Sequence, residues 1–248
     1  MRVSKVKFNT KIVALLYGMT CHGIFILAGS MMFFYLFNGF SYKVLDFNLK
    51  YPNLVNFFLL VQFPFFHSFL LNKRGKSILR KFYSTNYGNK LDTTIYATLA
   101  SFQLFLLFFL WQPTEFLVWK ADGFMFYTMS VFYLFGWILL SLSSFQAGYK
   151  VQTGSLGWTS LFLGKKPIYP DLPKIGLFKI IRHPIYFSFC IILWFSPYFT
   201  IDKVIIASTY SLYCFFAPLL KEKRLREIYG KQFLEYKKKT PYFFPRIF

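Results

Sequence analysis

Six stretches of this chain, residues 12–37, 54–71, 94–111, 124–145, 184–200 and 204–220, contain no Lys, Arg, Asp or Glu. Each is 17 to 26 residues long. The hydrocarbon core of a bilayer is crossed by about 20 apolar residues at about 1.5 Å rise each. Backbone N–H and C=O groups in lipid must be satisfied within the protein, and an α-helix does this inside one segment. Barrel strands are shorter and alternate in polarity. The expected fold is therefore all-α: a polytopic transmembrane bundle of about six helices.

The charges sort themselves around these runs. The chain carries 29 Lys+Arg against 9 Asp+Glu, a net charge of +20. Of the 29, 25 lie in residues 1–11, 72–90, 146–182 and the tail after Leu220. The intervening connections hold only Lys43, Lys50, Lys120 and Lys203. Alternate connections are thus basic, the positive-inside pattern for a chain with both termini in the cytoplasm. The same pattern assigns the excess charge to anionic lipid headgroups and not to nucleic acid. The basic head of Arg2, Lys5, Lys7 and Lys11 precedes an apolar run too long for a secretory core, so a retained first helix is expected.

No linker, tandem repeat or low-complexity tract interrupts the chain. The expectation is one membrane domain over 1–248, with a four-helix part at 1–145 followed by a cofactor-binding loop, a helical hairpin and a tail at 146–248. The loop over 146–182 is long, basic and rich in Gly and Pro, features of a lid or binding loop. After Leu220, the residues Leu225, Ile228, Tyr229, Phe233 and Tyr236 recur at helical spacing among charges. This predicts an amphipathic cytoplasmic helix on the membrane surface, ended by Pro241 and Pro245. Cys21, Cys190 and Cys214 lie in apolar runs without a CxxC pattern, and His22, His67 and His183 lack metal-ligand spacing, so no metal is expected.

One local constellation suggests chemistry. Arg182 and His183 precede Pro184, a residue suited to the first turn of a helix. Tyr186 follows about one turn deeper. A helix N-terminus with a guanidinium beside it suits an anion such as a carboxylate. The Ile201-Asp202-Lys203 turn is short, so the fifth and sixth helices should be antiparallel neighbours, bringing Glu222 to Arg182 and His183. A carboxylate beside an imidazole and a guanidinium suits a zwitterionic amino-acid group. The same residues also read as a positive-inside anchor with a paired Glu.

The run Arg182-His183-Pro184-x-Tyr186, followed by Glu222-x-x-Leu225-x-x-x-Tyr229-Gly230 and then Tyr236 and Pro241, resembles the isoprenylcysteine carboxyl methyltransferase superfamily. In the N-terminal half, Ala14–Gly18, Gln62–Ser68, Tyr96–Ser101 and Leu110–Pro113 resemble its NnrU-like branch, which contains methanethiol S-methyltransferase. The resemblance implies transfer of a methyl group from S-adenosyl-L-methionine at the cytoplasmic membrane face, in a bacterial inner membrane. By position it implies cofactor contacts from Phe178, His183, Pro184, Ile185, Tyr186 and Glu222, with His183 and Arg182 catalytic. His67 matches a membrane histidine of that branch and is the candidate acceptor-side residue.

Two departures from the family pattern concern the site. Lys221 stands where the family has the first Glu of a Glu-Glu pair, and Ser188 where it has Gly. The acceptor implied is small or lipophilic, a thiol first, with a prenylcysteine carboxylate or a lipid amine as alternatives. His183 would orient the cofactor or accept a proton. A non-catalytic scaffold of the same fold is a further reading. A transporter is disfavoured because no apolar run carries an ionisable Asp, Glu, Lys or Arg.

Overall fold

The computed structural model describes residues 7–45, 50–87 and 89–245. Arg2, Lys5 and Arg246, part of the basic head and tail, lie outside the described residues. In chain order the elements are α1 (Phe8–Phe37), α2 (Pro52–Leu70), α3 (Lys73–Leu79), α4 (Asp92–Leu110), β1 (Leu117–Lys120), α5 (Gly123–Gln146), α6 (Tyr149–Gln152), α7 (Ser155–Phe162), α8 (Leu177–Ile180), α9 (Pro184–Trp194), β2 (Tyr198–Thr200), α10 (Ile201–Tyr229) and α11 (Lys231–Lys239). Five of these, α1, α2, α4, α5 and α10, are long and apolar enough to cross a membrane. The fold is an all-α membrane bundle. Its chain divides into two compact units.

The first unit comprises Met1–Phe33, Lys43–Gln112 and Tyr149–Tyr169. Ala14, Leu70, Leu79, Tyr83, Leu91, Ile95 and Leu161 form its buried cluster. Several polar groups inside it pair with one another, as a low-dielectric interior favours. Asn56 and Gln112 exchange two bonds, Asn56 Nδ2 to the Gln112 carbonyl at 2.6 Å and Gln112 N–H to Asn56 Oδ1 at 3.0 Å. Thr94 Oγ1 donates to the Gly154 carbonyl at 2.6 Å and accepts from the Trp158 N–H at 2.9 Å. Gly154 sits at φ +74°, in the left-handed region, where a side chain would be strained.

The second unit comprises Phe34–Tyr42, Pro113–Gly148 and Pro170–Phe248, and it holds the Arg182 constellation. Here α9 packs between α5 and α10. Close approach of α5 to α9 depends on Gly136, where a Cβ would lie 2.9 Å from Ile192 Cγ1 and 3.0 Å from Ile191 Cγ2. The strands β1 and β2 pair antiparallel as a two-stranded ribbon.

The fifth apolar run departs from the expected single helix over 184–200. Only 11 residues are helical, about 16 Å of rise, half a hydrocarbon core. Pro197 explains the stop: it has no N–H to donate and disfavours helical geometry at the residue before it. The chain then turns through β2, and the expected Ile201-Asp202-Lys203 turn is instead the first turn of α10. Thr200 Oγ1 accepts the Lys203 N–H at 3.2 Å as the N-cap. Asp202, in the first turn, accepts from the Thr114 N–H at 2.9 Å and hydroxyl at 2.6 Å. Buried Lys203 donates from Nζ to the Leu36 carbonyl at 2.8 Å.

At its other end α10 continues beyond Leu220, through Pro218, to Tyr229. Its apolar part, residues 204–220, thus carries a charged extension at 221–229. Gly230, at φ +50° and ψ −123°, breaks the helix and starts α11. The tail helix does not simply lie on the membrane: Phe233 and Tyr236 are buried against Leu172.

Replacing Gly136 by Val should overpack the α5–α9 contact at a cost of about 1–3 kcal/mol. Thermal unfolding of the detergent-solubilised protein should show a lower midpoint, whereas Gly23→Val, with open space around that position, should not.

Candidate functional site

The geometry around Arg182 begins with Gly176. Its backbone, at φ +54°, lets the chain pass against the Gln146 side chain, whose Oε1 accepts the Leu177 N–H at 2.8 Å and starts α8. Phe178 on α8 is 1% exposed, and its carbonyl accepts the Tyr236 hydroxyl at 2.7 Å. Extended backbone at Ile181 then delivers Arg182 and His183 to the start of α9. Pro184 occupies the first helical turn, as its fixed φ favours. His183 is the N-cap residue, and Ser188 Oγ donates back to the Pro184 carbonyl at 2.8 Å.

These residues meet at one carboxylate. Glu222 is 5% exposed. Its Oε1 accepts from Arg182 Nε at 2.7 Å and lies 3.0 Å from His183 Nε2. Its Oε2 accepts from Lys237 Nζ at 2.7 Å. Burial pushes the Glu222 carboxyl up, but hydrogen bonds from His183, Lys237 and Arg182, with the Arg182 charge, outweigh it and hold the group at about 2. Burial lowers the His183 imidazole below its ordinary value; the Glu222 bond opposes this, while Lys221 and Arg182 add to it. His183 is therefore neutral at pH 7, and its contact with Glu222 is a hydrogen bond to an ionised carboxylate.

Arg182 has further work. Its Nη1 donates to the Lys237 carbonyl at 3.2 Å and to the Thr240 carbonyl, satisfying the C-terminal end of α11. Its own N–H donates to the Pro241 carbonyl at 2.9 Å. The strap after α11 thus lies along the site. Tyr242 places its ring edge-on to His183 at 4.9 Å between centroids, and its hydroxyl donates to the Phe215 carbonyl at 2.6 Å. The Arg182 guanidinium lies 5.4 Å from the centre of the Tyr242 ring. Tyr186 flanks His183 at 6.0 Å, with the Lys221 ammonium 5.9 Å from the centre of the Tyr186 ring.

The structure therefore brings Arg182, His183, Tyr186 and Glu222 together, with Pro184 and Ile185 in the first turn of α9 and Phe178 on α8 just before it. His67 belongs to the first unit, where its Nε2 lies 2.8 Å from the Tyr96 hydroxyl. Lys237, Thr240 and Tyr242 were not legible as site residues. Their only signal is Pro241, and nothing in a basic tail says which lysine folds back.

One buried polar atom in the cluster has no hydrogen-bond partner in the structure: Nδ1 of His183, on a residue 2% exposed. A lone acceptor of this kind costs about 1–3 kcal/mol unless something donates to it. It fits a site that is completed by a ligand.

Comparison with known proteins finds several relatives named methanethiol S-methyltransferase, and also a Nurim homolog of Drosophila pseudoobscura pseudoobscura, 26% identical over 203 residues that cover 72% of this chain and 71% of that one. Over 249 residues, 97% of this chain and 94% of the relative, the sequence is 26% identical to a protein named methanethiol S-methyltransferase from Crocosphaera subtropica. It is 27% identical over 193 residues to methanethiol S-methyltransferase 1 of Bradyrhizobium diazoefficiens, covering 77% of this chain and 66% of that one. It is 26% identical over 195 residues to a methanethiol S-methyltransferase of Pseudomonas deceptionensis, covering 78% and 73%. No family profile and no solved structure matches.

The depressed Glu222 value sets a pH dependence. An unfolded Glu titrates near about 4.3. The stabilisation from ionised Glu222 is complete above that value and is lost as pH falls toward about 2. Melting midpoints followed from pH 6 to pH 3 should fall more steeply for the wild type than for Glu222→Gln below about pH 4.5; parallel curves would assign the acid sensitivity elsewhere.

Proposed function

From membership in the methanethiol S-methyltransferase-like branch of the isoprenylcysteine carboxyl methyltransferase superfamily, we propose that this multi-pass membrane protein transfers a methyl group from S-adenosyl-L-methionine to a thiol. The observation that carries this reading is the buried Arg182–His183–Glu222 cluster at the start of α9, with its one unpartnered acceptor. The site faces the cytoplasm, as the basic connections favour. Anionic headgroups surround it, and the membrane is a bacterial inner membrane.

Each residue has a distinct part. Phe178, Pro184, Ile185 and Tyr186 supply walls for the donor. Glu222 supplies an anionic oxygen that now holds a lysine ammonium, and Lys237 is half-exposed, so a substrate ammonium can exchange with it. Arg182 is a positioning residue: it fixes Glu222 and ties α11 across the site. Bound S-adenosyl-L-methionine supplies a methyl group activated by a sulfonium. The chain's contribution is to orient the two reactants and exclude water. His67, whose Nε2 lies 2.8 Å from the Tyr96 hydroxyl, is the acceptor-side residue of this reading.

A second reading, a non-catalytic relative, is favoured by Lys221 at the first acidic position and by a Glu222 already bonded by three donors. Isothermal titration of the purified protein separates the two. The methyltransferase reading expects saturable binding of S-adenosyl-L-methionine, weakened at least tenfold in Glu222→Gln. It expects binding a few-fold tighter in Lys237→Ala, since a half-exposed ion pair contributes under about 1 kcal/mol. Mass spectrometry with an isotopically labelled methyl donor should then detect the methylated thiol; no binding and no labelled product would leave the scaffold reading.

A further inference from the structure

Two facts about Glu222 determine the protonation pattern of its neighbour. The carboxylate is ionised, so it can only accept hydrogen bonds. It lies 3.0 Å from His183 Nε2. The hydrogen of a neutral His183 therefore sits on Nε2, and Nδ1 carries a bare lone pair. That atom is the buried acceptor without a partner.

We propose that Glu222 holds His183 as the Nε2–H tautomer so that its buried Nδ1 is the base that takes the S–H proton of a thiol acceptor. This rests on the methyltransferase reading of the same site and adds to it the atom that makes the nucleophile.

The surroundings suit the task. From α10, Glu222 faces the imidazole, and Lys221 stands nearby with Arg224 beside it. Arg182 precedes His183, and Lys237 from α11 reaches it through Glu222. Tyr186 from α9 and Tyr242 from the strap flank the ring, and the Tyr242 proton is committed to the Phe215 carbonyl. The cations keep the resting ring neutral and able to accept a proton. Glu222 then stabilises the imidazolium once it forms, as a carboxylate behind a catalytic histidine does.

The step balances. The S–H bond of the thiol breaks, and its proton goes to Nδ1. The sulfur pair forms the new bond to the methyl carbon as the methyl–sulfonium bond breaks, leaving its electron pair on the departing thioether. The imidazolium returns its proton to water. No oxidant or further co-reactant is needed.

The tautomer is read directly by ¹⁵N NMR of histidine-labelled full-length protein in detergent, with the His183 signals assigned by their loss in His183→Gln. The expected result near pH 7.5 is a protonated Nε2 and a bare Nδ1; the opposite tautomer overturns the proposal. Kinetics give a second, independent readout, using an alkanethiol that is protonated at neutral pH and an arenethiol that is already ionised. His183→Gln should lose about 10²-fold or more on the alkanethiol and only a few-fold on the arenethiol. Equal losses on both, or loss of donor binding by titration, would make His183 a binding residue and overturn the proposal. Should the variant fail to fold, the wild type still decides: its kcat/KM for the alkanethiol should level off near neutral pH. A rate that climbs tenfold per pH unit toward the thiol's own pKa would mean that free thiolate reacts without a base. A wild type that methylates neither thiol would instead overturn the functional reading, whatever tautomer NMR finds.

Discussion

A carboxylate nine-tenths buried survives only where several donors replace its water, and Glu222 has three: Arg182, His183 and Lys237. The four residues come from three separate parts of the second unit. Arg182 and His183 lead into α9, Glu222 lies on the charged extension of α10, and Lys237 lies on α11. Removing any one leaves part of a buried charge uncompensated, so the cluster holds these elements in one arrangement. The Arg182 guanidinium extends the network to the carbonyls of Lys237 and Thr240, closing the end of α11. The bonds that satisfy the buried carboxylate and the bonds that fix the architecture are in this sense one network.

The consequences run in both directions along the chain. Because α11 is pinned, the strap with Tyr242 lies beside His183 rather than in solvent. Because His183 gives its Nε2 hydrogen to Glu222, the other ring nitrogen is left as an acceptor in a dry place. Such an atom is costly in a finished fold and useful in an unfinished one, where a substrate completes it. Lys237 makes the same point from the opposite side. It is half-exposed, bonded to a buried oxygen, and so placed that a competing ammonium can replace it.

Much of this was legible in residues. The uncharged runs identified the membrane helices, since no soluble fold spends so many apolar residues in unbroken series. Arg182, His183, Pro184 and Glu222 were recognisable as neighbours because two adjacent antiparallel helices bring their ends together. Less legible was how those elements end. The fifth run has the composition of a full span, yet Pro197 stops its helix after Trp194 and the rest turns through β2. Pro218 lacks an N–H in the same way, yet α10 runs through it to Tyr229. A missing N–H ends a helix only where packing does not hold the flanking turns, and packing is not written locally.

By itself, then, the sequence determined the solvent each segment prefers and which ionisable groups lie at the mouths of the helices. Both follow from side-chain composition over one or two turns. Only the tertiary structure decided which atom of His183 is left bare, that Lys237 among the many tail lysines reaches Glu222, and that Gly230 folds α11 back across the site. Those outcomes depend on hydrogen bonds between residues up to 58 positions apart, and a carboxylate chooses its donors by distance and desolvation, which a linear order of residues does not contain.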